Sequence, residues 1–202
     1  MLKNGFKIGD AEIEEPKSIG VATTVSTQIV QAVASAQYGG STLSHIDTHW
    51  APYVEASYNK LVKEAETYDL PPTWVWQKLN KEVHDAMQTF LYQVNSLTTT
   101  NGQAPFITIS FGLDTSRFGR MITKHYLQVH NEGIGKNKIT PVFHKVIFFL
   151  QEGVNMNKED PSYDLKQLAI DCAVNRVYPD WISLPLNRQV TGAEQSATTC
   201  MG

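Results

Sequence analysis

The pattern that most constrains the fold is a pair of apolar strand signals, each followed by a helix signal. Residues 104–112, APFITISFG, alternate apolar side chains with threonine and serine, which is typical of a strand with one apolar and one hydroxyl-bearing face. Residues 142–150 form a second, strongly apolar segment. Strands alternate with helices in this pattern, and each strand is apolar on at least one face. The pattern therefore predicts an α/β layered or barrel architecture.

Helical spacing and helix-start signals mark the segments around these strands. The predicted helices are Pro16 to about Gln37, Pro52 to Thr67, about Trp76 to Leu97, about Asp114 to His130 and about Asp160 to Asn175, and Trp181 to Leu184 is a further short strand. Small residues crowd the C-terminal end of the first helix, where another helix can approach closely. That end is therefore a candidate subunit contact.

Composition narrows the class of protein. A chain of 202 residues with 42% apolar composition is long enough for one domain with a sizeable core. A net charge of -3 disfavours a nucleic-acid partner but not a small phosphorylated ligand. No apolar run approaches the roughly 20 residues that cross a bilayer, so we expect a cytoplasmic protein without a membrane partner. Cys172 and Cys200 form no C-x-x-C pair, so they predict neither a disulfide framework nor a structural zinc site.

Two short motifs carry side chains or backbone suited to ligands. His45, Asp47 and His49 in SHIDTHW are possible zinc or iron ligands, but we favour a solvated turn with a helix cap. The stretch GIGKNK at 133–138 offers backbone amides and two lysines to a phosphate. It lacks the spacing of a Walker loop, and an ordinary connecting turn is the favoured interpretation.

The turn Asn101-Gly102-Gln103 leads into a predicted strand. Amides and hydroxyls at the mouth of a strand suit a polar neutral ligand such as a sugar, and a purely structural turn is the equal alternative. Cys172 falls in step with apolar residues of a predicted helix, which indicates a buried, unreactive thiol. Spacing alone reveals no acid–base pair, catalytic triad or metal site.

Several segments, taken in order, resemble the large subunit of the anaerobic (class III) ribonucleotide reductases. They are NGFKIGDAEIEEPKSIGVAT, QAVASAQYGG, APYVEASYNK, NGQAPFITISFG, DPSYDLKQLAIDCAVNRVYPD and the terminal TTCMG. The resemblance covers the chain from Gly5 to Gly202. It implies a helix-rich α/β fold that is part of the ten-stranded α/β barrel of glycyl-radical enzymes, with residues 1–202 a fragment of the catalytic barrel domain.

The resemblance also implies an activity. In this family a glycyl radical passes to a loop cysteine, whose thiyl removes the 3'-hydrogen of a ribonucleoside triphosphate. The 2'-hydroxyl leaves as water, formate or a redoxin supplies the electrons, and the closed barrel shelters the radical. The deoxynucleotides formed supply DNA replication. The full enzyme is implied to use ATP and deoxynucleoside triphosphate effectors, a structural zinc and a radical-SAM activating enzyme.

The resemblance places the reactive groups outside this chain. The family's loop cysteine normally follows a Met-Gly pair, and the sequence stops at Met201-Gly202. The second barrel cysteine, the glycyl-radical segment, the zinc module and the ATP-cone are likewise expected elsewhere. No catalytic residue, metal ligand or bound cofactor is therefore assigned within the chain, which is expected to be inactive alone. An intein or split gene, a shortened gene and an incomplete reading frame remain open as explanations.

The resemblance also implies which residues of this chain bind ligands. The candidate residues for a nucleoside triphosphate effector at the dimer interface are Glu15, Ser18, Gln28 and Lys60, with Lys60 for phosphate charge and the others for hydrogen bonds. A homodimer is expected through the long first helix, and Asn101, Gly102 and Gln103 are candidates for the substrate region. The alternative is a non-catalytic nucleotide-binding or dimerisation module derived from the enzyme.

Overall fold

Helices dominate the part of the chain that the computed structural model describes, which is residues 2–36, 39–98, 102, 104–142 and 144–192. A 3-10 helix at Leu2–Asn4 comes first. The remaining elements in chain order are β1 (Phe6–Ile8), β2 (Ala11–Ile13), α1 (Ile19–Ala36), β3 (Ser41–Leu43), α2 (Ile46–Thr67), α3 (Pro72–Ser96), β4 (Ile107–Phe111), α4 (Arg117–Glu132), β5 (His144–Leu150), α5 (Tyr163–Arg176), β6 (Asp180–Ser183) and α6 (Leu184–Thr191).

The central sheet has four strands in the order β3-β4-β5-β6, and every neighbouring pair is parallel. Helices connect the successive strands, as parallel pairing requires. Because all four strands run the same way, their carboxyl ends lie at one edge of the sheet and their amino ends at the other. β1 and β2 form a separate antiparallel hairpin before α1.

The two faces of the sheet differ in what covers them. Apolar residues of β4 and β5 that alternate along each strand, among them Ile109 and Phe148, belong to the main core together with residues of α1 to α5. The intervening residues Ile147 and Phe149 form a smaller cluster with Leu184 of α6. The helices α1 to α5 therefore pack on one face of the sheet, which we call the helix face. The intervening residues, such as Ile147 and Phe149, lie on the opposite face, which we call the inner face.

α1 is long and apolar enough to cross a membrane by length and composition alone. Within the fold it packs against α3 and α2, and seven of its residues are buried. The indole nitrogen of Trp50 on α2 donates a hydrogen bond of 3.2 Å to the hydroxyl of Ser26 on α1. These contacts make α1 a core helix of this domain.

The coarse prediction of a helix-rich α/β fold is confirmed, and each predicted helix and strand is present with shifted ends. The ten-stranded barrel is not seen as a closed structure, since the described residues form an open sheet of four strands. α2 begins at Ile46, before the predicted start at Pro52, because the amide of His49 already bonds the carbonyl of His45. The hairpin, β3 and α6 were not predicted from the sequence.

Candidate functional site

A buried carboxylate organises the carboxyl edge of the sheet. Asp47, in the first turn of α2, is fully buried. Its Oδ2 accepts hydrogen bonds from the backbone amides of Gly112, Leu113 and Asp114 at 2.8, 3.1 and 3.1 Å. Burial raises the pKa of this carboxyl, and the amide donors oppose that rise. Asp47 thus ties the turn after β4 to the start of α2.

Asn155 holds the same turn from the opposite side. Its Nδ2 donates to the carbonyl of Gly112 at 2.7 Å and to that of Phe149 at 2.9 Å, and its Oδ1 accepts from the amide of Gln151 at 3.0 Å. Gly112 has a φ of +115°, and a Cβ there would lie 3.1 Å from the carbonyl oxygen of Phe149. Asp47 and Asn155 therefore hold the two peptide groups that flank Gly112, a position at which only glycine is unstrained.

The SHIDTHW motif is not the solvated, capped turn that we predicted, because Asp47 has no exposed surface. Its Oδ2 accepts from the turn after β4, and its Oδ1 accepts from the amide of Thr48 at 3.0 Å. His45 lies at the N-cap position of α2 with a left-handed φ of 51° and makes no side-chain cap. Its ring stacks on Phe149, with centroids 5.0 Å apart. Among the residues described, no group of three His, Cys, Asp or Glu side chains could hold a metal ion.

The four predicted effector residues lie on or beside α1 and α2, but not around one cavity. Glu15, which precedes α1, lines a cavity of about 570 Å³ together with His49. Gln28 on α1 lines a different cavity of about 380 Å³ beside the β1–β2 hairpin. Ser18 and Lys60 line neither of these cavities. These two cavities therefore do not bring the four residues together, and their role in binding an effector stays a prediction.

Hydrogen bonds fix the start of α1, where two of these residues lie. The hydroxyl of Ser18 accepts from the amide of Val21 at 3.4 Å. The amide of Ile19 donates to the hydroxyl of Ser57 on α2 at 3.1 Å, and that hydroxyl donates to Glu82 on α3 at 2.6 Å. Lys60 is exposed on α2, three residues beyond Ser57. The start of α1 is thus held to both neighbouring helices.

Of the substrate-region candidates, only Gly102 lies among the described residues, as an exposed bend with a φ of +75°. Asn101 and Gln103 lie outside them, as does Cys200. Gly102 precedes β4 and so leads the chain toward the amino edge of the sheet. The backbone of the loop 133–138 is held by protein groups: the amide of Gly135 donates to Tyr92 Oη at 2.8 Å, and Arg176 Nη1 donates to the carbonyl of Lys138 at 2.8 Å.

The prediction that Cys172 is a buried thiol is confirmed. It has no exposed surface, and burial raises its pKa to about 12. Its Sγ lies 3.5 Å from His130 Nδ1, and the ring of His130 packs edge-on against that of His144. Burial lowers the pKa of His130 to about 4 and that of His144 to about 3, so both imidazoles are neutral in the folded protein.

The sequence of this chain matches a known family over its whole length. The family model described as anaerobic ribonucleoside-triphosphate reductase matches residues 1–202. The chain belongs to the anaerobic ribonucleoside-triphosphate reductase family. The predicted family is therefore confirmed.

Curated members of the reductase family are similar along nearly all of this chain. The anaerobic ribonucleoside-triphosphate reductase of phage T4 is 48% identical over 195 residues, which cover 96% of this chain and 32% of the relative. Those of Haemophilus influenzae and Escherichia coli are 47% and 46% identical over 202 residues, covering 99% of this chain and 29% and 28% of the relatives. The chain spans less than a third of the length of these relatives.

Solved structures of anaerobic ribonucleotide reductases share the fold. The crystal structure of the Thermotoga maritima enzyme in complex with dATP and CTP matches with a TM-score of 0.64 and 15% identity, covering 90% of this chain and 31% of that chain. The same enzyme with dATP bound in the specificity site matches with a TM-score of 0.60 and 16% identity, covering 87% and 30%. At this level of identity the likeness establishes the architecture alone.

Proposed function

We propose that this chain is a segment of the catalytic domain of an anaerobic ribonucleoside-triphosphate reductase, which converts ribonucleoside triphosphates to deoxyribonucleoside triphosphates by glycyl and thiyl radical chemistry. The observation that carries this proposal is the match of all 202 residues to the family, with 46–48% identity to three curated relatives. The radical-bearing residues, the structural zinc and the reductant belong to the rest of that enzyme, together with its activating enzyme. The proposed location is the cytoplasm.

The test of this activity is made on the complete reductase that contains this segment, activated and assayed without oxygen. Incubation with CTP, a reductant and an effector should give dCTP, measured by chromatography. The 202-residue chain alone, assayed in parallel, should give none. A complete, activated enzyme that forms no deoxynucleotide with formate or with a redoxin would refute the proposed function.

We further propose that Glu15, Ser18, Gln28 and Lys60 contact a nucleoside triphosphate effector. Glu15 and Ser18 precede α1, Gln28 lies in the middle of that helix, and Lys60 on α2 adds an exposed positive charge for phosphate. Titration of dATP, dGTP and dTTP into the purified chain should give saturable binding. Lys60→Met should weaken it by about tenfold, as loss of one charge-assisted hydrogen bond predicts. Equal affinities would remove Lys60 from the site.

A homodimer through α1 completes the proposal. Ala32, Ser35 and Ala36 in its last turns are exposed and small, so the backbone of a second helix can approach them closely. Sedimentation of the chain with and without dATP measures the association. Ala32→Arg should abolish the dimer, whereas Thr67→Arg at the far end of α2 should leave it intact. A chain that stays monomeric at every concentration would argue against this interface.

We also propose that the turn at Gly102 contributes to the substrate region.

A further inference from the structure

The inner face of the sheet carries a row of polar side chains at its amino edge. Thr42 pairs in register with Thr108, and Thr108 pairs with Lys145. Each is the second residue of its strand, so the three lie side by side across β3, β4 and β5. They alternate with residues of the helix face such as Ile107 and Val146, which belong to the main core. The row is therefore on the face that α1 to α5 do not cover.

Lys145 is the charged member of this row. It is half-buried, and no hydrogen bond or ion pair joins its ammonium to any residue in the described ranges. Asp180 on β6 pairs with Ile147, two residues further along β5, and forms no ion pair with Lys145. Partial burial of an ammonium costs free energy that a bound anion offsets. The alternative is that the aliphatic part of the Lys145 side chain covers the sheet while its ammonium group reaches solvent.

We propose that Lys145, together with the hydroxyl of Thr42 two strands away on the same face, binds the triphosphate of the ribonucleotide substrate on the inner face of the sheet. This inference rests on the proposed function, which supplies a triphosphate as the ligand. Thr108 between them is fully buried, whereas Thr42 and Lys145 keep exposed surface and can reach a ligand. An ammonium and a hydroxyl both donate hydrogen bonds, which phosphate oxygens accept. The row lies at the amino edge, toward which Gly102 leads the chain into β4.

The test compares matched variants by calorimetric titration of the chain with CTP, cytidine and inorganic tripolyphosphate. Lys145→Met keeps the length of the side chain and removes its charge, and Lys145→Arg keeps the charge. Lys136→Met, in the exposed loop before β5, removes a charge from the rival phosphate candidate, and Lys60→Met removes it from the proposed effector region. Unchanged circular dichroism and melting temperature establish that each variant folds.

Lys145→Met should weaken binding of CTP and of tripolyphosphate by about tenfold or more, as loss of a charge-assisted hydrogen bond predicts. Lys145→Arg should retain most of the affinity, Lys136→Met should match the unsubstituted chain, and cytidine should bind the Lys145 variants alike. Three results would overturn the site. The first is an undiminished affinity of Lys145→Met for CTP, and the second is a loss of CTP affinity in Lys136→Met or Lys60→Met but not in Lys145→Met. The third is an unsubstituted chain that shows no saturable binding of tripolyphosphate.

The failure of this site is distinguishable from failure of the proposed function. If the complete reductase converts CTP to dCTP and Lys145→Met leaves both KM and kcat unchanged, the anion site falls and the function stands. If the complete reductase makes no deoxynucleotide, the function falls, and the titrations with tripolyphosphate still decide whether Lys145 binds a triphosphate.

Discussion

Removal of the Asp47 carboxylate should destabilise the fold at one defined place. In Asp47→Ala the amides of Gly112, Leu113 and Asp114 lose their common acceptor. The bond from Gly112 is buried and the other two are partly buried, so water can replace the acceptor only at the latter two. The loss of stability comes from the amides left without an acceptor. Removal of the charge does not cause it, because burial of a carboxylate is itself unfavourable.

The size of the effect can be worked from these three bonds. A buried donor without a partner costs about 1–3 kcal/mol, and each partly buried bond contributes about 0.5–1.5 kcal/mol. These ranges together give about 2 to 6 kcal/mol, so the free energy of unfolding should fall by about 4 kcal/mol. For a domain of this size that corresponds to a melting temperature lower by roughly 10 °C. Asp47→Asn should lose less, since one amide oxygen can still accept at the position of Oδ2.

Urea denaturation followed by tryptophan fluorescence measures the change, since Trp50 lies buried on α2 only three residues from Asp47. Asp85→Ala is the matched control. Its carboxylate is half-exposed and pairs with Lys81 at 2.5 Å and with His84 at 3.8 Å on the surface, so its loss should cost under about 1 kcal/mol. An Asp47→Ala variant within about 1 kcal/mol of Asp85→Ala would refute the role of this carboxylate in holding the turn.

Three further results are expected. Because the pKa values of His130 and His144 are lowered to about 4 and about 3, the folded state binds fewer protons than the unfolded state. Their stabilisation is complete above the ordinary pKa of about 6.5 and declines as the pH falls below it, by about 2 kcal/mol each at about pH 5; equal urea midpoints at about pH 7.5 and pH 5 would contradict this. A variant in which Cys172 is the only cysteine should react with a maleimide only when urea unfolds it, since burial raises its pKa to about 12; rapid labelling of the native chain would contradict this. Gly112→Ala should lower the free energy of unfolding by about 1–3 kcal/mol, because its φ of +115° is combined with a close carbonyl, and by more than Gly153→Ala, where nothing lies within 4 Å of an added Cβ; thermal melts that rank the two variants the other way would contradict this.

The elements that the sequence predicts are those whose periodicity spans many residues. The 25 residues of α3 and the seven of β5 show their apolar patterns plainly. β1, β2 and β3 have three residues each, which is too short for a period of two to be distinguished from chance. The start of α2 was missed for another reason, because Pro52 suits a first turn and the helix instead begins at Ile46.

The side chains at the sheet edge could not be predicted because their partners are distant in the chain. Asp47 binds amides 65 to 67 residues away, and Asn155 binds Gly112 across 43 residues. In the local sequence Asp47 lies between two histidines and beside a threonine, which resembles the composition of a turn. Only the parallel order of β3, β4 and β5 places this carboxylate beneath the turn after β4.

The same parallel order explains why the row on the inner face is invisible in the sequence. Thr42 and Thr108 are 66 positions apart and Thr108 and Lys145 are 37 apart, and no motif joins them. Register alone makes them neighbours, and a slip of one residue in β5 would bring Val146 to the inner face in place of Lys145. The packing of Val146 and Phe148 into the main core excludes that slip, because it would expose both to the opposite side. The apolar core on one face thus determines which charge the other face presents.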